Sequence, residues 1–99
     1  MNWYKKYAQT QETIVGSAVK LSDGRVYSVP KPGRHGHVFV MFKEMRERGD
    51  GVPKEGQIQG FVTNTGRFVD RKEGAELALS NGQIKKLNWP PDLYSEDLW

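Results

Sequence analysis

Apolar positions cluster in two short runs on either side of a glycine turn, and this arrangement occurs twice. Val19-Lys20-Leu21-Ser22-Asp23-Gly24-Arg25-Val26-Tyr27 is echoed 42 positions later by Phe61-Val62-Thr63-Asn64-Thr65-Gly66-Arg67-Phe68-Val69. Asp-Gly and Thr-Gly permit positive φ at a tight turn, so each copy reads as a β-hairpin. A helix-like stretch follows each copy, which makes the chain two hairpin-plus-helix units. The first strand falls at 13–21, rich in the β-branched Thr13, Ile14, Val15 and Val19, with Gly16 as a candidate bulge. The chain returns over 25–29. Pro30-Lys31-Pro32-Gly33 ends that strand, because proline has no N–H for the ladder.

The period then changes. Val38, Met41, Phe42 and Met45 recur at helical spacing and predict a helix from about 34–36 to Arg48, with a buried stripe. Gly49 is its stop signal. Lys43, Arg46 and Arg48 alternate with Glu44 and Glu47, which reads as the solvated outer face of that helix. Residues 49–57 form the longest loop, and the second hairpin spans about 58–69. Asp70 is an N-cap candidate, with Glu73 at capping-box spacing. The second helix runs from about 71 to 80, buries Ala75, Leu77 and Ala78 or Leu79, and stops at Asn81-Gly82. Gly74 inside it costs about 1 kcal/mol relative to Ala, and a close backbone contact would justify it.

Both ends are aromatic. Residues 1–11 read as a flexible arm or a strand that docks Trp3 and Tyr4. The tail over 88–99 ends on Leu98-Trp99, which predicts docking on the body or on another subunit. The expected architecture over 1–99 is one small α+β domain, an antiparallel sheet of about four strands with two helices on one face.

Composition narrows the class. Hydrophobic residues make up 36% and charged residues 27% of the 99, as in a globular domain. With no cysteine there is neither a disulfide framework nor thiolate chemistry, and a cytoplasmic setting is expected. No membrane-length apolar run and no signal-peptide core is present. The net charge of +3 favours anionic partners without the dense basic stripe of a duplex-DNA binder.

Two places carry candidate chemistry. Arg34-His35-Gly36-His37 holds both histidines at an expected helix N-terminus, where free N–H groups and an Arg would receive an anion. A solvated Arg34 and a capping or packed histidine is the plainer alternative. Thr63, Asn64, Arg67 and Phe68 offer hydroxyl, amide, guanidinium and ring groups suited to a nucleotide, and Arg71 stands close by. The plainer alternative is an ordinary hairpin, with Phe61 and Phe68 in the core. His-x-His lacks the further ligands of a zinc site, so no metal is expected. No nucleophile elbow, P-loop or His-Glu zinc motif is present, and no enzyme activity is expected.

The run Gly60 to Glu73, with Gly82-Gln83-Ile84 and the ending Leu93-Tyr94-Ser95-Glu96-Asp97-Leu98-Trp99, resembles small phage-encoded proteins. Gly24-Arg25-Val26-Tyr27 and Arg34-His35 fit the same pattern. The resemblance is to the first-described Thoeris anti-defence family, the phage sponge proteins. It implies a dimer or higher assembly that sequesters cyclic ADP-ribose derivatives, and in some members cyclic oligonucleotides, without cleaving them and without a cofactor. The ligand-binding residues expected on this basis and from the residue types are Arg34, His35, Phe61, Thr63, Asn64, Arg67 and Arg71. Gly74, where Ala is expected, and a longer 30–33 segment are departures from that pattern. The competing functions are a small nucleic-acid-binding module and a protein–protein inhibitor.

Overall fold

The computed structural model describes residues 12–99. The expected arm over 1–11 lies outside them. Seven elements follow in order: β1 (Ile14–Lys20), β2 (Val26–Pro30), α1 (His35–Glu47), β3 (Ile58–Thr63), β4 (Phe68–Asp70), α2 (Arg71–Ser80) and the short α3 (Ser95–Leu98). The strands form one antiparallel sheet in the order β2-β1-β3-β4. The first strands of the two hairpins therefore lie side by side at its centre.

The two turns repeat each other bond for bond. Leu21 N–H donates to Arg25 O at 2.7 Å and Thr63 N–H to Arg67 O at 3.0 Å. Gly24 N–H donates to Leu21 O, and Gly66 N–H to Thr63 O, each at 2.9 Å. Gly24 and Gly66 have φ of 94° and 87°, which a side chain would strain. The 42-residue echo is thus structural within the hairpins. It ends there, because α1 begins well past its hairpin and α2 directly after β4.

β1 bulges between Ile14 and Gly16, so Ile14, Ser17 and Val19 share a face that a regular strand would divide. Both long helices pack on that face. Val38 and Phe42 of α1 close over Val19 and Leu21, with Val52 from the loop. Met41 and Met45, expected in the buried stripe, are only half-buried at its margin. Ala75 and Ala78 of α2 close over Ile14, Phe61 and Val69, joined by Leu93 and Ile84. A Cβ on Gly74 would stand 3.1 Å from Phe61 Cδ2, so the glycine lets α2 sit down on Phe61. On the opposite face Gly60 is covered by the Phe68 ring; a Cβ there would meet Val69 O at 2.1 Å.

Asp70 caps α2 by accepting from Glu73 N–H at 2.8 Å. The reciprocal half of the capping box is missing, because the Glu73 carboxylate turns to Arg67 instead, at 2.7 Å. The tail docks on its own domain. Leu93 is fully buried, Leu98 and Trp99 pack on the α2 cluster, and Trp99 Nε1–H donates to Gly33 O at 2.9 Å. Arg46 is not free on an outer face, since its guanidinium donates to Val52 O and Pro53 O and holds the long loop to α1.

Candidate functional site

Three chain segments meet at one cleft of about 460 Å³. The start of α1 supplies Arg34, His35, Gly36 and His37, the first residue of α2 supplies Arg71, and the tail supplies Tyr94, Ser95 and Glu96. Their convergence follows from local bonds. The Asp70 cap fixes the first turn of α2, and with it Arg71. Leu93 N–H donates to Arg71 O at 3.1 Å, while the Leu93 side chain is buried beneath α2. Tyr94 is thereby delivered to the Arg71 guanidinium, whose carbon lies 4.5 Å from the ring centroid.

Arg71 donates through Nη2 to Gln59 Oε1 at 2.7 Å, and its Nε is buried without a hydrogen-bond partner among the described residues. Arg34 lies across the cleft. Its guanidinium donates to Trp99 O and pairs with Glu96 at 3.5 Å. Both members of that pair are exposed, so the pair contributes little to holding either side chain in place. Arg34 N–H donates to His37 Nδ1 at 2.8 Å, which closes the start of α1.

His35 forms the floor. It is buried, stands edge-to-face on Phe61 at 5.1 Å, and shares a 2.7 Å hydrogen bond with Gly60 O. A carbonyl only accepts, so Nε2 carries the proton. Burial, aided by the Arg71 charge and opposed by the Gly60 hydrogen bond, holds the His35 pKa below its ordinary value, which favours the neutral ring. The cleft therefore offers two guanidinium groups and a helix N-terminus over a neutral floor, a combination suited to a phosphate.

The other expected site residues lie elsewhere. Phe61 is fully buried in the core and meets the cleft only through the His35 ring. Thr63, Asn64 and Arg67 are bound to the chain entering β1. Glu12 accepts from the Thr63 and Thr65 hydroxyls at 2.6 and 2.7 Å, and from Arg67 Nε and Nη2 at 3.1 and 2.8 Å. Arg67 Nη1 donates to Glu73 at 2.7 Å. These bonds, those from Arg67 foremost, pull the Glu12 pKa down to about 2. Asn64 and Thr13 exchange two further bonds. The second hairpin thus clamps the segment that leads into β1, and the seven expected residues separate into a cleft set (Arg34, His35, Arg71), one core residue and a clamp set.

Sequence reasoning missed Tyr94 and Glu96 as cleft residues. They stand in the ending Tyr94-Ser95-Glu96, and only the docking of Leu93 brings them to Arg71. Among the described residues there is no group of three or more His, Asp or Glu side chains placed to hold a metal. No helix among them is long and apolar enough to cross a membrane.

A family model described as Phage T4 y16D protein matches residues 13–99, nearly all of the domain. The chain belongs to that family. It is accordingly a phage protein, as the resemblance implied at that level. The matched residues begin beside the Glu12 clamp and take in every element of the fold and every residue of the cleft. No curated protein and no solved structure matches the chain.

Proposed function

We propose that this phage protein is an anti-defence sponge, which binds a cyclic nucleotide immune signal of the cyclic ADP-ribose type and holds it without cleaving it. The observation that carries the reading is the pair Arg34 and Arg71, brought from different elements to one cleft at the start of α1. A phosphate there gains charge-assisted hydrogen bonds and the favourable end of the helix dipole. Binding without turnover accords with the commitments of the two histidines. His35 is held by Gly60 O and His37 Nδ1 by Arg34 N–H, and among the described residues neither is hydrogen-bonded to a nucleophile. The proposal includes self-association, which the resemblance to sponge proteins implies.

The test is a thermal-shift screen of the full chain against cyclic ADP-ribose, its isomers and cyclic dinucleotides, followed by heat release of the bound ligand. A ligand at 100 times its Kd raises stability by about 2.7 kcal/mol, and it should be recovered intact. Recovery of cleaved ligand beyond one equivalent would make the protein an enzyme. Binding of duplex DNA with a steep salt dependence would favour the nucleic-acid alternative.

A further inference from the structure

The tail carries four large apolar side chains, and three of them (Leu93, Leu98 and Trp99) pack on the core cluster. Trp89 does not. It remains 55% exposed, although burying an indole is among the larger stabilising contributions open to a small domain. Among the described residues its aromatic contact is edge-to-face with Tyr94, at 5.6 Å between ring centroids and 81° between planes. Trp89, Tyr94 and Glu96 bound a second hollow of about 200 Å³. Tyr94 and Glu96 are also walls of the cationic cleft, so the two depressions adjoin. With the 4.5 Å contact between Tyr94 and Arg71, these spacings hold the indole within about 10 Å of the Arg71 guanidinium.

Two chemistries thus stand side by side. Arg34 and Arg71 are suited to a phosphate, and Trp89 offers a half-exposed flat ring in contact with a second aromatic. A nucleotide presents the same pair of groups, joined by a sugar. An exposed aromatic beside a cationic groove is how sequence-tolerant nucleotide binders gain base affinity, because every base has a stacking face. We propose that Trp89 is the base platform of this site: the phosphate is held at Arg34 and Arg71 and the base stacks on the indole. The inference rests on the anion-cleft reading and adds to it the residue that receives the base, so that a base-bearing nucleotide is preferred over a sugar phosphate or a free phosphate.

The experiment compares adenosine 5′-monophosphate, cyclic ADP-ribose and ribose 5-phosphate by isothermal titration with the full chain, Trp89→Ala, Trp89→Phe and Arg34→Ala. The base-bearing ligands should bind about 5- to 150-fold more tightly than ribose 5-phosphate. Trp89→Ala should remove that margin and leave ribose 5-phosphate unchanged, while Trp89→Phe should keep most of it. Equal affinity for the nucleotide and ribose 5-phosphate, or a margin that survives Trp89→Ala, overturns the platform. If ribose 5-phosphate still binds in an Arg34-dependent way, the anion cleft stands without it. Failure of all three ligands overturns both. Loss of nucleotide binding in Trp89→Ala that coincides with a changed molar mass by light scattering assigns Trp89 to a subunit contact and also overturns the platform.

Discussion

The Arg71 guanidinium lies over the ring of Tyr94, 23 positions later in the chain, with 4.5 Å between its carbon and the ring centroid. This contact joins the first turn of α2 to the tail and forms one wall of the cleft. The same guanidinium reaches Gln59 Oε1 through Nη2, and Arg71 lines the cleft. Lysine has no planar group to lay over a ring.

Arg34→Ala and Arg71→Ala should each weaken nucleotide binding about 10- to 100-fold, since hydrogen bonds to charged groups are worth roughly 1.5–3 kcal/mol. Arg71→Lys should recover little of that loss. Lys43→Ala, on an exposed position of α1, is the neutral control; Arg46 is unsuitable because it holds the 49–57 loop. Titration calorimetry with a ligand from the thermal-shift screen decides it, and wild-type affinity in both alanine variants would place the site elsewhere.

Arg67→Ala should act on stability instead. It breaks the pairs with Glu12 and Glu73 and leaves Glu12, whose side chain is 15% exposed, without its cation. The expected cost is about 1–2 kcal/mol, or a fall in Tm of about 5–15 °C for a domain of this size. Ligand affinity should be unchanged. A large loss of affinity at unchanged Tm would return Arg67 to the binding site.

Gly60→Ala should be severely destabilising, by about 3 kcal/mol or more. Its Cβ would stand 2.1 Å from Val69 O and 2.7 Å from the Phe68 ring. Any relief moves β3 away from β4 and shifts the carbonyl that accepts from His35. Urea titration monitored by circular dichroism measures the change; wild-type stability would mean that the two strands separate without cost.

Acidification should destabilise the fold in two steps. The folded pKa of His35 lies below its ordinary value of 6.5. The unfolded chain therefore binds more protons, and stability falls as the pH drops through about 6.5. Glu12, lowered from 4.5 to about 2, contributes fully above 4.5 and loses its contribution as the pH falls toward 2. His35→Gln, which keeps a donor for Gly60 O, should flatten the first step only. Thermal melts from pH 7.5 to 3 show both, and an unchanged first step in that variant would assign it to another group.

Local patterns of a few residues were legible in the sequence. Paired apolar runs and Gly turns marked both hairpins, the period of Val38 and Phe42 marked α1, and Asp70 with its following residues set α2 to the residue. These features depend on φ, ψ and capping, which neighbouring residues determine. Of the candidate site, Arg34, His35 and Arg71 could be chosen because each stands at an element boundary. Their meeting, and the arrival of Tyr94, Glu96 and Trp89, depended on where Leu93 is buried. The tertiary structure also decided the partners of Arg67, since only the pairing of β1 with β3 brings Glu12 beside Thr63. Sequence fixes what each side chain can do; packing across the sheet selects which donors and acceptors are close enough to satisfy one another, and which are left open to a ligand.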